Sequence, residues 1–322
     1  MNKSVEAIKE NDKVTITIIA DNYYDTVRPD PAIGTRYRSA FNRSIHAEHG
    51  LSYFIETVIN GTTSTFMFDF GLDPIGVLNN MKLLGIDIAD ANAIGLSHGH
   101  YDHWGGLVEI LRKNLSKIKK KIPLYVGNEA FEHRFSQRPG DTKPHDIGQL
   151  KRDEIEGLGI IKIVEVNECT EVIPGCYFSG YIDKVTDYEA IPPSLLIERK
   201  GALVQDDFNG EQAIVFNVKE RGLVVLSGCA HVGIVNTIRH AQKITGIKKL
   251  HMIIGGFHLI NAKTEIIMKT VADIKAMEPD YIVPTHCTGF EAIATFYREM
   301  PKQFILNTVG TKYVITAKKT QI

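Results

Sequence analysis

Cysteine is scarce in this chain, with four in 322 residues, at positions 169, 176, 229 and 287. That is too few for the disulfide framework of a secreted protein. The six residues between Cys169 and Cys176 fit no common zinc or iron–sulfur spacing, so these two are read as core residues. Neither sign of charge dominates: 37 lysines and arginines face 38 acidic residues, for a net charge of −1. Nothing global therefore draws the chain to nucleic acid or to a membrane surface. No apolar run reaches the roughly 18 to 20 residues of a membrane helix, and Met1-Asn2-Lys3-Ser4-Val5-Glu6 lacks a signal-peptide core. The expectation is a cytoplasmic protein. Length and a 43% apolar fraction are enough for a sizeable core.

What the chain does have is concentrated. Of twelve histidines, three fall in the six positions of His98-Gly99-His100-Tyr101-Asp102-His103, between the apolar run Ala93 to Leu96 and an amphipathic helical pattern at Gly106 to Ile118. In an extended segment alternate side chains share a face, so His98 and His100 can point together, while Asp102 and His103 turn toward a neighbouring position. Imidazole nitrogens suit zinc, iron and related ions, and a carboxylate adds charge and can act on bound water. Two adjacent metal sub-sites are expected.

Around this motif the pattern is mixed α/β. Val14 to Ala20 reads as a strand. Leu51 to Ile59 and Ser64 to Phe70 read as a hairpin about Asn60-Gly61, and Asp73 to Leu84 carries a helical apolar stripe. From about 23 to 48 there is little periodicity, which points to a loop or lid insertion. It carries Arg28, Arg36, Arg38 and Arg43 with Tyr23, Tyr24 and Tyr37 interleaved, a composition suited to an anionic, ring-bearing substrate. The lysines at 117 and 119 to 121 read as a solvated helix end, not a nucleic-acid surface. Residues 127 to 160 give no clear pattern, and His133 and His145 within them are expected at the surface. Later, three strands each deliver a histidine just past their ends: Gly222 to Leu226 before His231, Leu250 to Ile254 before His258, and Tyr281 to Pro284 before His286. Open α/β sheets build sites there.

The motif His98-x-His100-x-Asp102-His103 resembles the signature of the metallo-β-lactamase superfamily, which implies a single domain, 1–322, folded as an α/β, four-layer αβ/βα sandwich. The resemblance adds His286 as a last metal ligand and Asp69, at the end of the hairpin, as support beneath the metal loop; a helix-capping role is compatible with Asp69 too. No histidine lies between His145 and His231, so His231 is inferred to supply the remaining imidazole. Cys229 stands where an acid is expected and is either a thiolate ligand or a buried neighbour. His258 is left open as ligand, substrate contact or acid. Ser227 to Gly233, Gly255 to His258, Pro284 to Gly289 and Glu48 to Ser52 together resemble one branch, the group named for dihydropterin ribofuranosylaminobenzene-phosphate synthase.

The expected cofactors are two divalent metal ions, zinc first, with iron or manganese as alternatives. The leading expectation is a hydrolase using metal-activated hydroxide on an anionic or phosphorylated ester, with Asp102 as the catalytic group. A synthase joining a dihydropterin methyl diphosphate to ribofuranosylaminobenzene phosphate is the alternative, and non-hydrolytic diiron redox or metal-binding roles form a third. The expected partners are a small-molecule substrate and, for assembly, a second copy of the chain; nucleic acid and membrane are not expected.

Overall fold

The computed structural model describes residues 8–318; the polar segment at positions 1 to 6 lies outside them. Strand Lys13–Ala20 shows how the layers arise. Val14, Ile16 and Ile18 enter one apolar cluster, whereas Ile19 and Ala20 enter another on the opposite face. Successive residues of a strand face opposite sides, so a run apolar on both faces must be covered on both.

Two sheets supply the cover. One has, in spatial order, Ile161–Val166, Ile122–Gly127, Ala93–Gly95, Thr62–Phe68, Ser52–Ile59, Lys13–Ala20, Lys312–Thr316 and Gly34–Thr35. The other runs Thr170–Ile173, Cys176–Phe178, Ala213–Val218, Gly222–Ser227, Leu250–Gly256 and Tyr281–Thr285, with Glu10–Asn11 beside Ala213–Val218. Phe66, Phe68 and Tyr53 of the first sheet meet Phe178, Phe216 and Leu226 of the second in a shared core. Helices Pro74–Leu84 and Leu107–Asn114 cover the outer face of the first sheet through Val77, Met81, Leu107 and Ile110. Helices Ile234–Thr245, Thr264–Ala276 and Phe290–Glu299 cover the second through Ile238, Val271, Ile274 and Phe296. The order helix, sheet, sheet, helix is the four-layer sandwich expected.

Local signals explain several boundaries. Asn60 and Gly61 both have positive φ, 50° and 77°, as a two-residue hairpin turn of this twist requires. Asp73 caps Pro74–Leu84 by accepting from the Ile75 amide at 2.9 Å, and Gly85 closes it with φ 70°.

Three expectations need correction. The segment without pattern at 127 to 160 contains Arg134–Ser136 and His145–Asp146, which join Leu195–Arg199 and Ala202–Gln205 in a third, four-stranded sheet; strands of two or three residues are too short to display a period. Cys176 is buried, but Cys169 is exposed, because it sits in the turn before Thr170–Ile173. The helix expected at Gly106 to Ile118 is the shorter Leu107–Asn114, and the turn holding Asp102 and His103 is itself a short helix, Tyr101–Trp104. Gly105 and Gly106 lie between them with ordinary negative φ, so what demands glycine is close backbone approach: a Cβ there would lie 2.5 Å from the Leu72 carbonyl oxygen or 2.3 Å from that of Phe70.

Candidate metal centre

Strand Ala93–Gly95 ends beside the hairpin strand Thr62–Phe68, and one carboxylate just past these strand ends locks them together. Asp69 is fully buried with φ 59°. Its Oδ1 accepts from the Ser97 amide at 2.7 Å, and its Oδ2 takes the Ser97 hydroxyl at 2.8 Å and His103 Nδ1 at 2.7 Å. Ser97 Oγ also lies 2.8 Å from His98 Nδ1. Anchoring one ring nitrogen of an imidazole fixes its orientation and leaves the other free to face the site. Asp69 thus supports the loop and caps no helix.

His98 and His100 sit with ring centroids 4.7 Å apart, and His231 is 4.7 Å from the first and 4.8 Å from the second. Asp102 and His103 lie on the short helix Tyr101–Trp104 and reach His286: His103 and His286 have centroids 5.1 Å apart, Asp102 Oδ2 lies 3.2 Å from His286 Nε2, and the His103 ring also lies 4.2 Å from that of His98. Two groups of side chains thus stand side by side. Cys229 is between them, its Sγ 3.1 Å from His103 Nε2 and within 4.8 Å of ligand atoms of both His98 with His231 and His103 with His286.

The second-half histidines are held by acids that give no signal in the sequence. Glu211 is buried; its Oε1 accepts from the His231 amide at 2.9 Å and lies 2.8 Å from His231 Nδ1, and its Oε2 accepts from the Val232 amide at 3.0 Å. Asp21 accepts from the His286 amide at 2.9 Å and from Asn307 Nδ2 at 2.7 Å. Burial pushes both carboxyls above their ordinary range, and the hydrogen bonds they accept oppose it.

Three observations fit these residues to metal ions. The Nε2 atoms of His98 and His231 are buried without a hydrogen-bond partner among the described residues, a costly condition for a polar atom. Burial, followed by the neighbouring imidazoles, lowers the pKa of His98, His100 and His231, and the neutral ring is the ligating form. Burial alone would raise Asp102, but His103 and His286 hold it below the ordinary carboxylate range. The backbone is also strained here: Asp69, Ala230, His258 and His286 have φ of 59°, 54°, 42° and 48°, at about 1–3 kcal/mol each, a cost that clusters at functional sites.

Comparison with known proteins agrees with this geometry. The family model described as the metallo-beta-lactamase superfamily matches residues 47–167, which include the whole histidine motif. The 7,8-dihydropterin-6-methyl-4-(beta-D-ribofuranosyl)-aminobenzene-5'-phosphate synthase of Methanocaldococcus jannaschii is 33% identical over 269 residues, covering 83% of this chain and 90% of that protein. The chain belongs to the metallo-β-lactamase superfamily. An uncharacterized protein of the same organism is 28% identical and covers 80% of this chain and 89% of its own length. Among solved structures, Tm1679, a metal-dependent hydrolase of the beta-lactamase superfamily, superposes with TM-score 0.73 at 24% identity, over 94% of this chain and 99% of that one. The metallo-beta-lactamase fold protein YhfI from Bacillus subtilis does so at 0.54 and 12%, over 94% and 100%. These two likenesses speak for the fold alone. Members of the superfamily typically bind divalent metals, and the clusters described above are candidates to hold them.

Beside the superfamily's metal motif the arginine loop divides. Arg36 is buried and serves the loop itself, donating to the carbonyls of Pro29 at 2.9 Å and Leu306 at 2.8 Å and to Thr308 Oγ1 at 2.7 Å. Arg38 donates to the carbonyls of Thr26 and Arg28 and pairs with Asp30 at 2.8 Å. Both expectations of substrate contact are therefore corrected: loops lacking regular backbone pairing need such side-chain braces. Arg43 is exposed beside the Ala40–Arg43 bridge. Arg28 does border a cavity of about 700 Å³, with Tyr23, His286, Phe290 and Tyr297 in its walls. His133 is partly buried and bonds Asp146 at 2.8 Å, and His145 is exposed, so neither reaches the centre.

His49 was missed as a site residue. It is exposed, stacks on His286 with centroids 4.9 Å apart, and has Nε2 3.6 Å from Asp102 Oδ2. The one trace of it in the sequence is its place in Glu48 to Ser52, where Glu48 bonds the Leu72 amide at 2.7 Å.

Proposed function

We propose that this superfamily member is a two-metal hydrolase acting on an anionic, ring-bearing ester or phosphoester. The observation that carries the reading is the pair of buried, unpartnered Nε2 atoms on His98 and His231, converging from both halves of the chain. On this reading His98, His100 and His231 hold one ion, and Asp102, His103 and His286 hold the other. Cys229 lies between them.

Bound divalent ions supply positive charge that brings the pKa of water toward neutrality and offsets charge gathering on the scissile group. The chain does the rest. Asp69, Ser97 and Glu211 fix the imidazole tautomers. Asp102, whose negative charge is kept by its histidine neighbours, orients the attacking water. His49, exposed at the mouth, carries the proton from Asp102 to solvent. Tyr23, Phe290 and Tyr297 offer faces to a planar ring in the cavity, and the Arg28 guanidinium offers a fork to its phosphate or carboxylate. Aryl phosphoester and ester turnover should fall to background in protein stripped by a chelator and return with zinc, iron or manganese. Full activity in verified metal-free protein would overturn the reading.

A second reading is favoured by the 33% identity to a synthase across most of both chains. In it the same centre and cavity join a dihydropterin methyl diphosphate to ribofuranosylaminobenzene phosphate. A C–N bond forms, the arylamine loses a proton and diphosphate leaves. Diphosphate release only when both substrates are supplied distinguishes this from hydrolysis.

A further inference from the structure

We propose that Cys287, His258 and Cys229 form a third, thiolate-rich metal position beside the two just described, suited to a zinc-like ion. The inference rests on the two-ion reading only in that Cys229 is shared with it. His258 and Cys287 have no role in that reading, yet the fold brings them together: Leu250–Gly256 ends two residues before His258, and the turn His286–Thr288 carries Cys287.

The three ligand atoms all lie within 4.8 Å of one another. Around a tetrahedral zinc ion, with bonds of about 2.3 Å to sulfur and 2.0–2.1 Å to nitrogen, ligand atoms stand roughly 3.4–3.8 Å apart, so a contraction of about 1 Å closes the set. Both thiols are buried, Cys229 at 2% and Cys287 at 5% exposure. His258 Nδ1 is buried without a hydrogen-bond partner among the described residues. Cys287 Sγ donates a long hydrogen bond, 3.6 Å, to the Cys229 carbonyl oxygen.

The backbone is shaped for this grouping at some expense. His258 has φ 42°, a conformation that side-chain-bearing residues seldom adopt, and it presents the ring 4.3 Å from that of His231. Gly256 lies under the thiol: a Cβ there would come within 2.7 Å of Cys287 Sγ. Two sulfurs and one imidazole are a soft donor set that prefers zinc or cadmium to magnesium, calcium or manganese. A thiolate sulfur has lone pairs enough to bridge ions, so Cys229 can serve this position and the imidazole-lined one together.

The test is cobalt(II) and cadmium(II) titration of the stripped full chain, wild type and three variants. It reads ions bound per chain and the thiolate-to-cobalt charge-transfer absorption, with circular dichroism to verify folding. Cys287→Ser is expected to bind one ion fewer and to lose roughly two-thirds of the charge-transfer intensity, as the Cys287 bond and one of the two Cys229 bonds to cobalt go with that ion. His258→Asn, which tolerates the same positive φ, is expected to lose the same ion and stands in if Cys287→Ser fails to fold. His98→Ala is expected to lose a different ion and keep the Cys287 contribution. Unchanged stoichiometry and absorption in both Cys287→Ser and His258→Asn, with a loss in His98→Ala, would overturn this position and leave the two-ion reading standing. Losses in the first two with none in His98→Ala would support it and overturn that reading instead.

Discussion

Residues 97 to 103 and the strand ends at 229 to 231, 258 and 286 build facing halves of one site by different means. In the first half a single buried carboxylate, Asp69, holds the Ser97 amide, the Ser97 hydroxyl and His103 at once, and Ser97 passes the constraint to His98. In the second half two strand ends have acids of their own: Glu211 for His231, Asp21 for the His286 backbone. A shared support makes the first half fail as a unit. Separate supports let each histidine of the second half fail alone.

That difference can be broken by experiment. Asp69→Asn keeps a residue type that tolerates φ 59° but removes the charge paired with His103. It should weaken binding at both ions by about 10–100-fold, read by metal titration. Glu211→Gln should weaken the ion at His98, His100 and His231 by a similar 10–100-fold and leave the other in place. Loss of both ions in Glu211→Gln, or of neither in Asp69→Asn, would erase the contrast between shared and separate supports. The smallest effects belong to the loop. Arg36→Ala should cost about 2–3 kcal/mol of stability in a denaturant melt, because it orphans one buried and two partly buried acceptors. Arg28→Ala should leave the melt unchanged and raise KM about tenfold, the loss of one charged substrate contact.

The same contrast governs what could be read from the chain. The first half is contiguous, so strand alternation and a turn are enough to place His98, His100, Asp102 and His103 in two neighbouring groups. His231, His258 and His286 became visible because three strand-then-histidine units repeat. Glu211 and Asp21 were invisible: a carboxylate that caps backbone amides far away in sequence has no local pattern. Arg36 was misjudged for a related reason. An arginine that braces a loop from inside has the same sequence surroundings as one that waits for an anion, and only its burial against Leu306 and Thr308 separates them. The four-layer order came with the resemblance that the histidine motif carries, whereas the third sheet was not legible, being made partly of two- and three-residue strands.

The central claim, that both halves of the chain close around metal ions, is tested most directly by anomalous diffraction from crystals of the full chain at the edge of the metal it carries. The account predicts one peak among His98, His100 and His231 and a second among Asp102, His103 and His286. A catalytically active crystal with no anomalous peak at either place would contradict it.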